Sequence, residues 1–319
     1  MNKVFEYHQG KAYGLFGLGR QTLATDTSEN PIAGDMIIAR VEGNVRLCLL
    51  GIDAPELSLP LPGSETFVPT NHPDWEAFLA DPFSPNLPVL PLDPGLRANL
   101  LARIGNGCGE NHYKHALAAS RGLESEIAVD LAATGKRSED FRFKVRFERE
   151  AIDAYGRLLG WISIEDTPDW HPLTYNHRMM LKGLAMPYYI WPNVSPFRFA
   201  SDLRAAVPMP GSVARIAEED HKLARSRAWF QANREAGVGV FDDDDPLRLH
   251  AFELRYLSQR KLPDRWVIDL SRNDDILLHP QHYYRIEQPE DRLFVPDEYL
   301  ELFLAKGWQT EAYRNSNEP

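Results

Sequence analysis

The chain has 319 residues, 43% hydrophobic and 25% charged, which is ordinary for a globular protein and enough for one to three domains. Its net charge of −11, concentrated in 236–319 with 17 acidic against 10 basic side chains, argues against holding nucleic acid by bulk electrostatics while leaving room for a local positive cleft. No stretch nears the roughly 18–20 apolar residues of a membrane span, the opening MNKVFEYHQGKAYGLFG lacks an unbroken apolar signal core, and Cys48 and Cys108 make no disulfide framework, so the expected compartment is the cytoplasm.

Residues 1–30 read as a lead-in with scattered glycines. GLGRQ (17–21) there lacks the strand–GxGxxG–helix context of dinucleotide binding and reads as a turn. MIIARVEGNVRLCLLGI (36–52) predicts a hairpin, two β-rich runs flanking Glu42-Gly43-Asn44. From 58 to about 98 a proline falls every few residues, which predicts an irregular insertion, about 57–110 in all. A helical pattern covers 111–134, with Gly135 as its C-cap. FRFKVRF (141–147) alternates apolar with basic residues, so one face is buried and the other carries Arg142, Lys144 and Arg146. After a turn at DAYG, RLLGWISI (157–164) returns as a second strand. Helices follow at 174–184 and 213–232. After the acidic run 242–245 the remainder, 236–319, predicts a small accessory α+β unit. Grouped strands with later helices make the chain α+β.

Asp53 and Glu56 follow a strand too apolar to be solvated, on a segment stiffened by Pro55, which fixes its own φ and restricts Ala54. Asp35 opens the other arm of the same hairpin. Converging carboxylates with a backbone carbonyl suit a hard cation such as Ca²⁺, a spare carboxylate can deprotonate water, and a facing arginine holds phosphate. Taken singly, each of these residues is also ordinary turn chemistry. Cys108, His112 and His115 are a zinc candidate without a fourth ligand and read better as one helix face. The run 242–245 reads as a solvated linker. The Arg142/Lys144/Arg146 face suits a phosphate backbone or solvent equally.

AGDMIIARV (33–41), RLCLLGIDAPE (46–56), DAYGRLLGWI (153–162), LKGLAMPYYIWPN (181–193) and EEDHKLARSRAWF (218–230), in this order, resemble the staphylococcal-nuclease (thermonuclease-like) family over most of 33–232. The resemblance implies an OB-fold five-stranded β-barrel with three helices, here as a 1–235 nuclease domain carrying the insertion, followed by 236–319. It implies Ca²⁺-dependent hydrolysis of DNA or RNA phosphodiesters, leaving 3′-phosphates. Asp35, Asp53 and the Ala54 carbonyl match the metal ligands, Glu56 the residue that activates water, Arg157 a phosphate-binding arginine, and Asp153, Tyr155 and Tyr189 positions near the bound nucleotide. Two departures stand out. The calcium turn reads Ala33-Gly34-Asp35-Met36, without the family's further carboxylate and hydroxyl. The family's second arginine position holds Cys48, and the nearest arginine, Arg46, lies two residues earlier, a displacement of roughly 6–7 Å along a strand. These departures also fit an alternative, a weakened or inactive nuclease-like module that binds nucleic acid or protein.

Overall fold

A computed structural model describes residues 5–8, 11–18, 36–40, 44–149, 151, 157–165, 172–198 and 202–311, with side chains from Arg46 onward. The strands β1 (Phe5–His8), β2 (Lys11–Leu18), β3 (Met36–Arg40) and β4 (Asn44–Leu49) open the fold. β3 and β4 form the expected antiparallel hairpin, Arg40 opposite Asn44 and Met36 opposite Cys48. The chain then enters β5 (Gly51–Asp53), which delivers the first carboxylate. Gly51 makes that step possible. Its φ is +84°, and a Cβ there would stand 3.1 Å from both Met180 and Trp161.

The proline-broken insertion is more regular than its composition predicts. β6 (Ser58–Pro60) pairs antiparallel with β7 (Phe67–Pro69), and two short helices follow, α1 (Pro73–Ala80) and α2 (Pro94–Leu101). Both helices start on a proline, tolerated at the first position because its missing N–H would lack a partner anyway. His72 and Asp93 accept from the first-turn amides of Asp74 and of Gly95 and Leu96. The prolines thus mark helix starts as well as breaks.

α3 (Cys108–Thr134) covers the predicted helix, starts three residues earlier, and ends on left-handed Gly135. β8 (Arg142–Arg146) and β9 (Leu158–Ile164) pair antiparallel, with Phe143 and Val145 buried and the basic residues between them half-exposed. α4 (Tyr175–Leu181), β10 (Met186–Ile190) and α5 (Leu203–Ala206) come next. The single helix predicted over 213–232 is two, α6 (Val213–Glu219) and α7 (His221–Glu235). Asp220 leaves helical geometry at φ −77°, ψ 106°, and its carboxylate caps the second helix through the Lys222 and Leu223 amides. Beyond lie α8 (Ala251–Gln259), β11 (Arg265–Asp269), β12 (Ile276–Leu277), β13 (Arg292–Pro296), α9 (Leu300–Leu304) and β14 (Gln309–Thr310). The class is α+β, as expected.

The larger sheet runs β1-β2-β3-β4-β9-β8; β2 also pairs with β8, and β4 with β9 is its parallel pair. A second sheet, β11-β13-β10-β5, takes two strands from before residue 235 and two from after it. The region expected to be accessory therefore completes a sheet that carries Asp53. Period-two geometry buries both faces of that sheet. Tyr189, Ile268, Leu293 and Val295 enter one apolar core together with Leu47, Phe143, Ile162 and Met180. Tyr188, Val267 and Phe294 enter a second core, built by the insertion (Trp75, Leu79, Leu96, Leu100) and α8 (Phe252, Leu254, Leu257). Insertion and C-terminal region thus pack on one another. No helix among the described residues is long and apolar enough to cross a membrane.

Because a Gly51 side chain would need the left-handed conformation next to packed Trp161, Gly51→Ala is expected to cost about 1–2 kcal/mol. The check is a lower urea midpoint at unchanged slope.

Candidate functional site

Asp53 ends β5, opposite Met186 of β10, and points away from solvent at 4% exposure. Its carboxylate meets the start of α8. The Phe252 N–H, one of the first-turn amides that no helical carbonyl can satisfy, donates to Asp53 Oδ2 at 2.9 Å. One turn along, Arg255 Nη2 donates to both Asp53 oxygens at 2.9 Å, and Nη1 donates to Glu56 Oε1 at 2.7 Å. A single guanidinium therefore bridges the two carboxylates of the DAPE motif. Burial alone would lower the Arg255 pKa, but Asp53 and then Glu56 outweigh it and hold the group well above its ordinary value. Arg255 stays charged.

Glu56 is 3% exposed. Its N–H donates to His112 Nε2 at 2.9 Å, and its carbonyl accepts from Thr70 Oγ1 at 3.1 Å. Burial pushes His112 down to about 3, so the ring is neutral and free to accept. α8 is anchored on another side as well. Arg103 of the insertion forks onto Glu253, Nη2 to Oε1 at 2.7 Å and Nη1 to Oε2 at 2.8 Å, and the Tyr283 hydroxyl donates to the same carboxylate. Burial opposes ionisation of Glu253, yet Arg103 prevails and its pKa falls to about 2.

Beside Asp53 opens a cleft of about 690 Å³. It is lined by the β4–β5 segment, by Arg157 and Leu159, by Tyr188 and Ile190, and by Arg255, Tyr256, Lys261 and Arg265. Arg157 and Asp53, drawn from segments a hundred residues apart, share this cleft. The lining is electrically mixed, with four basic side chains (Arg157, Arg255, Lys261, Arg265) and four acidic ones (Asp53, Asp264, Asp297, Glu298).

The other predicted residues fall variously. Asp35, Asp153 and Tyr155 lie outside the described residues. Ala54 is fully buried beside Asp53. Arg46 is exposed and does not line the cleft, whereas Cys48 does. Tyr189 points into the core, its hydroxyl 3.0 Å from Ser226 Oγ, and strand parity gives the cleft to Tyr188 instead. Tyr188 stacks on Phe252 at 5.4 Å and accepts from Arg265. His112 and His115 share a helix face, each committed to a different segment, His115 Nε2 lying 2.8 Å from the Asp245 carbonyl. In the run 242–245, Asp243 and Asp244 are solvated as expected, but Asp245 is not. Asp245 binds Lys114 and Asn111 of α3, both at 2.7 Å. Arg142 and Arg146 are taken up locally, Arg142 by the Glu139 and Phe141 carbonyls and Arg146 by Glu148 and the Trp161 ring. Arg255 was not foreseen, because AFELRYLSQ carries no local mark distinguishing a bridging arginine from a solvated one.

The calcium implied by the family resemblance can be tested against these contacts. Such an ion takes six to eight oxygens at roughly 2.3–2.6 Å. Both Asp53 oxygens and Glu56 Oε1 already accept from Arg255, and Asp53 Oδ2 accepts from Phe252 as well. Arranged this way, Asp53 and Glu56 do not fit the ion. Among the described residues, no three His, Cys, Asp or Glu side chains are placed to hold a metal. No protein-family model matches the sequence, and no curated protein matches it.

Three histidines, His112 fully buried and His177 and His250 half-buried, make stability pH-dependent. Burial lowers His112 and His250 to about 3 and His177 to about 4, against 6.5 in the unfolded chain. Between these values the unfolded state binds more protons, so their contribution is complete above pH 6.5 and drains away as pH falls toward 4 and then 3. Denaturant midpoints measured from pH 7.5 downward should therefore begin to fall near pH 6.5, before the carboxylates titrate. His112→Gln, which keeps an acceptor for the Glu56 amide, should flatten that slope.

Proposed function

We propose that this chain is a nuclease-like module that binds nucleic acid in the cleft and does not hydrolyse it. What supports binding there is that Arg157 and Asp53, delivered by two separate β-segments, line one cavity together with Lys261 and Arg265. A guanidinium on that wall matches phosphate oxygens. The OB-type reading draws support from the circuit of pairings β2–β3–β4–β9–β8 and back to β2, with β4–β9 parallel. The observation that carries binding over hydrolysis is the Arg255 bridge. A carboxylate 3% exposed and bonded to a half-buried arginine is poorly placed to take a proton from water. With a net charge of −11 and a mixed lining, affinity should come from a few placed contacts and be modest.

A second reading is the calcium-dependent nuclease itself. One observation favours it, the side-by-side placement of Asp53 and Glu56, close enough for one cationic group to touch both.

Fluorescence anisotropy with labelled single-stranded DNA and RNA at low salt tests the first reading. Binding is expected, and Arg157→Ala should weaken it evenly across sequences and reduce the salt slope by about 1. Folded protein that binds neither strand would end the proposal. In parallel, DNA degradation is followed in calcium and in chelator. No cleavage is expected, while calcium-dependent cleavage that Glu56→Gln abolishes would install the second reading.

A further inference from the structure

We infer that Arg255 is the resident cation of the Asp53–Glu56 pair, standing where the family resemblance puts a metal ion and locking the C-terminal region to the nuclease-like part. The inference takes from the family resemblance only the expectation of a metal; the lock rests on the geometry.

Three features carry it. First, the match is stereochemical as well as electrostatic. The guanidinium fork spends Nη2 on both Asp53 oxygens at 2.9 Å and Nη1 on Glu56 at 2.7 Å, so a cation entering between the carboxylates would have to evict it. Second, the helix that carries Arg255 is held in place. The same helix buries Phe252, Leu254 and Leu257 in the second core, and Glu253, two residues earlier, is forked onto Arg103. α8 therefore cannot shift away without unpacking, which keeps the Arg255 backbone within reach of the pair, its side chain 19% exposed where it lines the cleft. Third, the contact spans 199 residues to Glu56 and 202 to Asp53, joining the edge strand of the four-stranded sheet to the helix that covers it. The negative charge that one arginine leaves over is met in part by the Phe252 amide at the start of α8.

The test uses thermal melts of the full chain in calcium and in chelator. Wild type is expected to melt at the same temperature in both. Arg255→Met strands two buried carboxylates, so its melting temperature in chelator should drop by roughly 5–10 °C. Calcium should restore part of that loss, and Asp53→Asn added to Arg255→Met should abolish the restoration. A calcium-dependent rise in the wild-type melting temperature that Asp53→Asn removes would put an ion where Arg255 sits and overturn the inference. So would an Arg255→Met protein that melts like wild type. An Arg255→Met protein that calcium does not rescue would reduce the contact to an ordinary ion pair and overturn the stand-in role. Should Arg255→Met not fold, the charge-free triple variant Asp53→Asn, Glu56→Gln, Arg255→Met decides. Folding of the triple supports the lock, and failure of both to fold overturns it. None of these readouts involves nucleic acid, so loss of DNA and RNA binding in the anisotropy experiment would remove the proposed function and leave the lock standing.

Discussion

Two carboxylates buried at the end of one short strand set the terms for everything around them. Asp53 and Glu56 are each less than 5% exposed, and a buried carboxylate without a partner costs several kcal/mol. A charge in that position has to be matched from somewhere. The match comes from a helix some 200 residues further on, and that requirement fixes where α8 lies, which face of the four-stranded sheet it covers, and how the cleft beside Asp53 is walled. Arg103 and Glu253 repeat the solution on the other flank of the helix, tying it to the insertion. Two forked arginine pairs thus hold together three stretches of chain distant in sequence.

This arrangement also explains why insertion and C-terminal region are best understood jointly. Neither has a core of its own. Trp75, Leu79, Leu96 and Leu100 from the first meet Phe252, Leu254 and Leu257 from the second across the sheet face that carries Tyr188 and Phe294. The opposite face of the same sheet belongs to the core that includes the β8–β9 strands and α7. The four-stranded sheet is a shared wall, and β5 is the strand through which the site and the wall are one object.

What could be read from the letters follows from range. The β3–β4 hairpin, the alternation in FRFKVRF and the long helix closed by Gly135 depend on residues within a few positions of one another, and the structure has each of them. The split at Asp220 was locally encoded but ambiguous, since a capping aspartate and a mid-helix aspartate look alike until the backbone commits. In the insertion, Asp93-Pro94 and His72-Pro73 are helix starts that read as breaks when prolines are only counted. At the site, the two aromatic neighbours in MPYYI could not be sorted by pattern. Both faces of β10 are buried, so parity gives no apolar-versus-polar contrast to show that Tyr188, and not Tyr189, faces the cleft.

Arg255 is the clearest case of a residue invisible at short range. A motif such as DAPE specifies where carboxylates will be; it does not specify which cation will neutralise them, because metal ion and guanidinium satisfy the same electrostatic demand. The distinction lies in the rest of the shell. An ion needs many oxygens and keeps room for water or substrate, whereas an arginine brings its own donors and fills the space with its stem. The departures from the resembled pattern, Ala33, Met36 and Cys48, fall at positions that the resemblance assigns to metal and phosphate binding. A pair of carboxylates held in this way anchors the helix that covers it, whatever the cleft beside it does.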